Sequence, residues 1–477
     1  MSNALISQAS TGSPGLTRRA PSPPGLPLVG HLIGMVRDPL GMMTKGLRDH
    51  GEVVLYRFGP YRYFVLSGPD VARHVLVDRP ENYVKSKNYR GLKVVLGNGL
   101  VTSEGEFWKR QRKLAQPAFH HKRLAGFAET MAHYTSDMLM RWATIDATRS
   151  FDIHDEMTRL TFRIVGKTLF DVDLHQESDS ISERIRIVID WAQKYAESVV
   201  RLPPWVPTPS NLAFGRAKRA LDRLVFGIIE ERRKDRRDHG DLLSMLMEVT
   251  DESGDGRMDN QQLRDEVMTL IIAGLETTAN ALAYTFHLLS QHPGVSRQLE
   301  QEIDRVLGDR APSFEDLPRL EYTGWVVQES MRLLPPVWNV ERDALDDDVI
   351  GGYSIPKGST VAIAAYTLHR NPRHWDNPEG FDPERFSPAR SKDRNKHAYL
   401  PFGGGPRVCI GNAFAMMEAK LILATVVQRY RLTLIPGFRL ELDPSITLRP
   451  RSGIPMTRRE RSAVEYGRDG QPRREER

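Results

Sequence analysis

The stretch "MDNQQLRDEVMTLIIAGLETTANALAYTFHLLSQHPG", residues 258 to 294, is what most restricts the fold of this chain. Asp259 stands where a helix cap belongs and Gln262 follows three residues on, as in a capping box, so the spacing predicts one long helix from 259 to about Gln291, before His-Pro-Gly. Its apolar stretch is too short, and too closely flanked by Arg264, Asp265, Glu266 and Glu276, to span a bilayer. Such a helix has to cross the core of a large globular domain. In its middle, "AGLETT" (273 to 278) puts a glycine, an acid and two hydroxyls where Leu or Ala would pack better. Ala273 and Thr277 share one face, and Gly274 and Thr278 share another. Two readings stand side by side: an ordinary helix with two threonines bonded back to the preceding turn, or a helix opened to admit a small ligand beside a proton donor.

The rest of the chain supplies helices to surround it. Helix-compatible spacing recurs at 104–116, 122–144, 155–169, 181–200, 215–234, 294–307, 318–334 and 411–429. Short apolar alternations at "EVVLYRFGPYRYFVLSGPD" (52 to 70) predict a hairpin, and further strands are expected at "VIGGYSIPKGSTVAIAAYTLHR" and near the C-terminus. The fold class is therefore mainly α with small β-sheets (α+β) in one large domain, and not the alternating βαβ of a Rossmann dehydrogenase. The expected organisation is a leader at 1–20, the catalytic domain at 21–456 and a mixed-charge tail at 457–477. The proline-broken, polar N-terminus offers no run for a signal peptide or membrane anchor. The net charge of +6 is diffuse apart from that Arg-rich tail, so no nucleic-acid partner is expected. A single cysteine in 477 residues needs no oxidising compartment, and a cytoplasmic location follows as the expectation.

That cysteine, Cys409, lies in "PFGGGPRVCIG" (401 to 411). A lone cysteine is ordinarily a small buried hydrophobe. Here Gly403, Gly404, Gly405 and Gly411 remove side chains around it, a helix begins just beyond it, and Arg407 stands two residues before it. A thiolate in such a loop can serve as axial ligand to haem iron, with the glycines letting a flat ring approach, the helix N-terminus stabilising the sulfur and Arg407 reaching a propionate.

Phe402, Gly405, Arg407, Cys409 and Gly411 match the F-x-x-G-x-R-x-C-x-G pattern, and the chain resembles the cytochrome P450 monooxygenases. Other motifs follow in that family's order over roughly residues 22 to 456: Trp108 and Arg112 in "FWKRQRKL", Ala273, Gly274, Glu276 and Thr277 in the long helix, Glu329 and Arg332 in "QESMRLLPP", Arg342 in "NVERDALDDDVIGGYSIPKG" and Arg385 in "FDPERF". The resemblance implies haem b (iron protoporphyrin IX) ligated by Cys409, with Arg407, Trp108, Arg112 and Arg342 at its propionates and Phe402, Gly411 and Ala273 along it. Glu329, Arg332 and Arg385 become a buried structural network. Glu276 and Thr277 become the acid and alcohol that deliver protons, and Gly274 leaves room for oxygen. The implied reaction inserts one oxygen atom of O2 into a lipophilic small molecule, a fatty acid, terpenoid, steroid or polyketide. NAD(P)H acts indirectly, through a ferredoxin or flavodoxin with its reductase. Arg407, Lys420, Arg110 and Lys113 are the basic residues expected to steer such a donor. A peroxygenase would lack the acid and alcohol pair, and a haem gas sensor would not need it.

Overall fold

The computed structural model describes residues 17–461 apart from 174–177, 199–200, 236, 238 and 249–257. The helices are α1 (Leu32–Arg37), α2 (Pro39–His50), α3 (Pro69–Arg73), α4 (Arg90–Leu96), α5 (Gly105–Ala115), α6 (His121–Ala143), α7 (Ile153–Phe170), α8 (Ser178–Glu197), α9 (Pro209–Lys234) and α10 (Leu242–Glu248) before the long helix α11 (Asn260–Gln291). After it come α12 (Pro293–Leu307), α13 (Glu321–Leu333), the short α14 (Ala365–Leu368) and α15 (Pro388–Ser391), and α16 (Asn412–Arg429).

Helix α11 starts because Asp259 Oδ1 accepts the Gln262 N–H at 2.7 Å; this half of the expected capping box is the one observed. It stops at His292 because Pro293 has no N–H to continue the ladder and instead opens α12. The expectation that its apolar stretch is too short for a bilayer does not hold: among the described residues it is the one helix long and apolar enough to cross a membrane, but most of that stretch is enclosed by protein, as a core helix requires. It packs on α7, α9, α13 and α16, and its apolar residues lie in the same core as theirs.

The strands cluster at one side. β1 (Val53–Phe58) and β2 (Tyr61–Leu66) form the expected hairpin, turning at Gly59 (φ 59°) and Pro60. β2 then pairs parallel with β8 (Thr360–Ile363), which pairs antiparallel with β5 (Val340–Ala344), which in turn takes β3 (Tyr83–Lys85) as the edge. Every residue of β8 is buried, as a central strand covered on both faces requires. The smaller sheets are β6 (Asp348–Ile350) with β7 (Tyr353–Ile355), β10 (Leu442–Pro444) with β11 (Leu448–Pro450), and β9 (Tyr430–Leu434) with β12 (Pro455–Glu460) and β4 (Phe151–Asp152).

Two expected boundaries move. The Arg18 N–H donates to Gly352 O and Ala20 is buried, so residues 18–20 belong to the domain and not to a leader. At the other end β12 runs through Glu460, past the expected limit at 456, because its pairing with β9 continues to Glu460↔Tyr430. Residues 1–16 and 462–477 lie outside the described structure.

The acid and two arginines expected to form a network do so. Glu329, on α13, is wholly buried and accepts from Arg332 Nε (2.7 Å) and Nη2 (2.8 Å), from Arg385 Nε (3.2 Å) and from the Asp382 N–H (2.9 Å). Arg332 spends its remaining donors on the carbonyls of His369, Pro378 and Gly380. The network ties α13 to the segment 369–385 that leads towards the cysteine loop.

Candidate active site

In the loop 401–411 the chain turns tightly enough that the Cys409 N–H donates to Phe402 O at 2.9 Å. Gly403 (φ 68°) and Gly405 (φ 65°) take up left-handed backbone that other residues resist. A Cβ on Gly405 would lie 1.7 Å from Leu76 O, so the protein's own packing already demands this glycine. A Cβ on Gly411 would meet only Phe119 Cε1, at 3.8 Å. Gly411 caps α16 and its N–H points at the Cys409 sulfur, while Arg112 on α5 donates to Val408 O at 2.7 Å. Cys409 presents open surface, yet protein atoms crowd its thiol from the other sides. That desolvation pushes the thiol pKa up, and the Gly411 N–H and the Arg112 charge act in the opposite direction, favouring thiolate.

Beside this loop several cations converge. The Arg407 guanidinium lies over the Trp108 ring at 3.7 Å, donates to Ser103 O at 3.0 Å and pairs with Glu104. Arg342 on β5 is buried, and its register partner across the sheet is Lys85 on β3. The Lys85 ammonium donates to Ser103 O (2.9 Å) and Leu100 O (3.3 Å). Burial, reinforced by Arg407 and Arg342, lowers its pKa to about 7, and burial brings Arg407 down to about 10. Lys85 and Glu104 were not foreseen: nothing in "NYVKSK" shows that Lys85 will lie opposite Arg342.

In α11 the burial of successive residues breaks at one place. Ala273 is exposed and Gly274, Glu276 and Thr277 are partly so, with buried residues on either side. The Thr277 hydroxyl donates to Ala273 O at 2.8 Å, the back-bonded geometry weighed for it. Glu276 turns away from Thr277 towards the Thr447 hydroxyl, within the field of Arg449 and His154, and burial raises its pKa. Adjacent helix positions do not share a face, so the acid and the alcohol border the same opening without bonding to each other. A Cβ at Gly274 would stand 3.0 Å from Val165 Cγ2 on α7. The contact is tight enough that Val165 would have to give by a few tenths of an ångström, so the glycine also eases the crossing of α11 over α7.

Of the four residues expected to steer a donor protein, Arg407 is engaged internally. The Lys420 ammonium donates to Leu317 O and burial depresses its pKa. Neither is an uncommitted surface charge. Lys113 is exposed, and Arg110 is half-buried.

These residues fit haem: a single sulfur donor with positive groups beside it, cations in excess of the one carboxylate paired among them, and a long buried helix that opens at a small residue, a hydroxyl and an acid. A mainly helical domain carrying that combination defines a haem-thiolate oxygenase. The cytochrome P450 profile matches residues 20–454. The chain is 38% identical over 445 residues to cyclooctatin synthase of Streptomyces melanosporofaciens, covering 92% of this chain and 96% of that protein. It is also 38% identical to cyclooctat-9-en-7-ol 5-monooxygenase of the same organism, covering 88% and 90%. Its fold superposes on the crystal structure of the cytochrome P450DA heme domain with a TM-score of 0.86 and 29% identity, over 94% of this chain and 99% of that one. The chain belongs to the cytochrome P450 family. It is a haem-dependent monooxygenase.

Proposed function

We propose that this enzyme hydroxylates a terpenoid, with Cys409 as the axial ligand and Thr277 and Glu276 as the proton-handling pair. The observation that carries the reading is the opening in α11 at Ala273–Thr277, the one place where the core helix gives up burial to small and polar residues. The terpenoid class rests on the relatives, one named as a cyclooctat-9-en-7-ol 5-monooxygenase.

When bound, haem supplies the oxygen activation. The protein's part follows from its own groups. The Gly411 N–H and Arg112 stabilise charge on the Cys409 sulfur. Arg407, Arg342 and Lys85 offer positive charge to the cofactor's carboxylates, and Trp108 holds the Arg407 plane. The Thr277 hydroxyl donates its hydrogen bond to Ala273 O, which leaves its lone pairs available to accept a hydrogen bond from water. Glu276, whose pKa burial raises while the Thr447 hydroxyl, Arg449 and His154 act against the rise, holds a proton more readily than an exposed carboxylate and serves as the acid of the pair. Electrons come from a separate acidic ferredoxin or flavodoxin, with the exposed Lys113 on α5 on the helix that also braces the cysteine loop.

Thr277→Ala tests this. With ferredoxin, its reductase and NAD(P)H, the variant keeps the red-shifted carbon-monoxide band of thiolate haem but yields several-fold more peroxide per NAD(P)H consumed. Unchanged coupling removes Thr277 from the relay. Loss of the band in Cys409→His, and turnover that falls as salt rises, check the ligand and the donor.

A further inference from the structure

The charged triplet Arg264, Asp265 and Glu266 enters the sequence argument only as flanking charge, yet in the structure all three are buried at the head of α11. Each of the three makes a bond to one piece of chain, residues 95–100. Arg264 donates from Nη2 to Val95 O (2.9 Å), from Nη1 to Asp265 Oδ1 (3.0 Å) and from Nε to Asp222 Oδ1 on α9 (2.9 Å). Asp265 Oδ2 accepts the Asn98 N–H at 2.7 Å, and Glu266 Oε2 accepts the Leu100 N–H at 3.0 Å. The segment lies so close on the helix that a Cβ on Gly97 would be 2.1 Å from Asp265 Oδ2, and one on Gly99 2.1 Å from Thr269 Oγ1.

The same segment is held from the opposite side by the cation cluster. Lys85 takes the carbonyls of Leu100 and Ser103, Arg407 also takes Ser103 O, and the Lys85 N–H donates to Glu104 Oε1 at 2.7 Å. Leu100 is therefore clasped at both ends of one residue, its amide by Glu266 and its carbonyl by Lys85. The second Glu266 oxygen, Oε1, is buried without a hydrogen-bond partner, and its carboxylate lies within the field of the Lys85 ammonium.

We propose that Lys85 and Glu266 are paired positioning residues that clasp Leu100, and that cofactor carboxylates entering the cation cluster tighten the clasp and so fix segment 97–104. The physical link is charge. Burial weakens the hold of Lys85 on a proton, the nearby Arg407 and Arg342 guanidiniums weaken it further, and Glu104 and Glu266 oppose them. Anionic carboxylates beside it restore the full ammonium, whose charge-assisted bonds to carbonyls are stronger than those of a neutral amine. The geometry thus makes segment 97–104 responsive to what occupies the far side of Lys85.

The inference rests on the haem reading, and the experiment separates the two. The full-length enzyme is loaded with haem or with haem dimethyl ester, which keeps the iron and removes the carboxylate charge, and amide exchange across 95–105 is followed by mass spectrometry. With haem the segment is expected to exchange at least tenfold more slowly than with the diester. In Lys85→Met the two porphyrins give the same fast exchange. Glu266→Gln keeps an acceptor for the Leu100 N–H but loses the charge facing Lys85, and exchanges at an intermediate rate with haem. Equal protection by haem and diester in the unsubstituted enzyme overturns the proposal, as does a haem-to-diester difference that survives in Lys85→Met. Should the diester or Lys85→Met fail to load, Glu266→Gln decides: protection equal to that of the unsubstituted haem enzyme overturns the clasp. Absence of the thiolate carbon-monoxide band from the haem-loaded protein sinks the haem reading instead.

Discussion

Replacing Glu329 by alanine removes the one carboxylate that neutralises two buried guanidiniums. Four hydrogen bonds end on it, from Arg332 Nε and Nη2, Arg385 Nε and the Asp382 N–H, at 2.7 to 3.2 Å. Solvent does not reach Arg332 to compensate, since it is 0% exposed. Breaking a buried pair by deleting one partner costs about 3–5 kcal/mol, because the remaining charge stays buried. Arg332 keeps its carbonyl partners at His369, Pro378 and Gly380, which places the expected loss at the lower end, about 3 kcal/mol. Against a total stability of roughly 5–15 kcal/mol that is a large share, so the haem-loaded fraction falls as well as the denaturation midpoint. The measurement is denaturant unfolding of the haem-loaded protein, together with the yield of the thiolate carbon-monoxide band. A companion variant, Glu329→Leu with Arg332→Met, leaves less charge uncompensated and is expected to be more stable than Glu329→Leu alone. A loss under about 1 kcal/mol in Glu329→Ala, or a double variant no better than the single one, refutes the reasoning.

Gly405→Ala would drive a methyl group to 1.7 Å from Leu76 O at a backbone φ of 65°, so the thiolate band is expected to be largely lost. Gly403→Ala, with nothing within 4 Å, is expected to retain it at a cost of about 1–2 kcal/mol for the left-handed backbone alone. His287, buried on α11, has its pKa lowered to about 4 by burial, with the neighbouring His292 adding to the shift. The unfolded chain therefore binds a proton that the folded one refuses between about pH 6.5 and 4, and stability falls as pH falls through that window. His287→Gln is expected to flatten the acid side of the stability profile by about 1.4 kcal/mol per pH unit there, as read by denaturant midpoints. An unchanged slope would show that His287 protonates freely in the fold.

What could be read from the sequence was what is local. Among the described residues, each of the nine long helices announces itself by its apolar spacing, and Glu329 with Arg332 lies one turn apart on one of them. Helices α1, α2 and α4 escaped because they are short or interrupted by glycine, so periodicity has too few turns to show. Other features depend on pairings across the chain. Lys85 acquires meaning only opposite Arg342, and Gly405 only against the carbonyl of Leu76. Arg264, Asp265 and Glu266 look like solvated flanking charge until the segment 95–100 is laid across them. Lys420 looks like a surface cation until Leu317 O caps it.

The pairing of β2 with β8 joins residues 63–66 to 360–363, and β3 joins the same sheet only through β5. On the ribosome the N-terminal hairpin therefore emerges long before its parallel neighbour exists, with one edge of its backbone awaiting a partner. Lys85, Arg342 and Arg407 come together only after most of the chain has been made, and Cys409 follows Arg407 by two residues. Cofactor capture is consequently a late event in the life of the nascent chain, and the early sheet edge is the part a chaperone has most reason to cover.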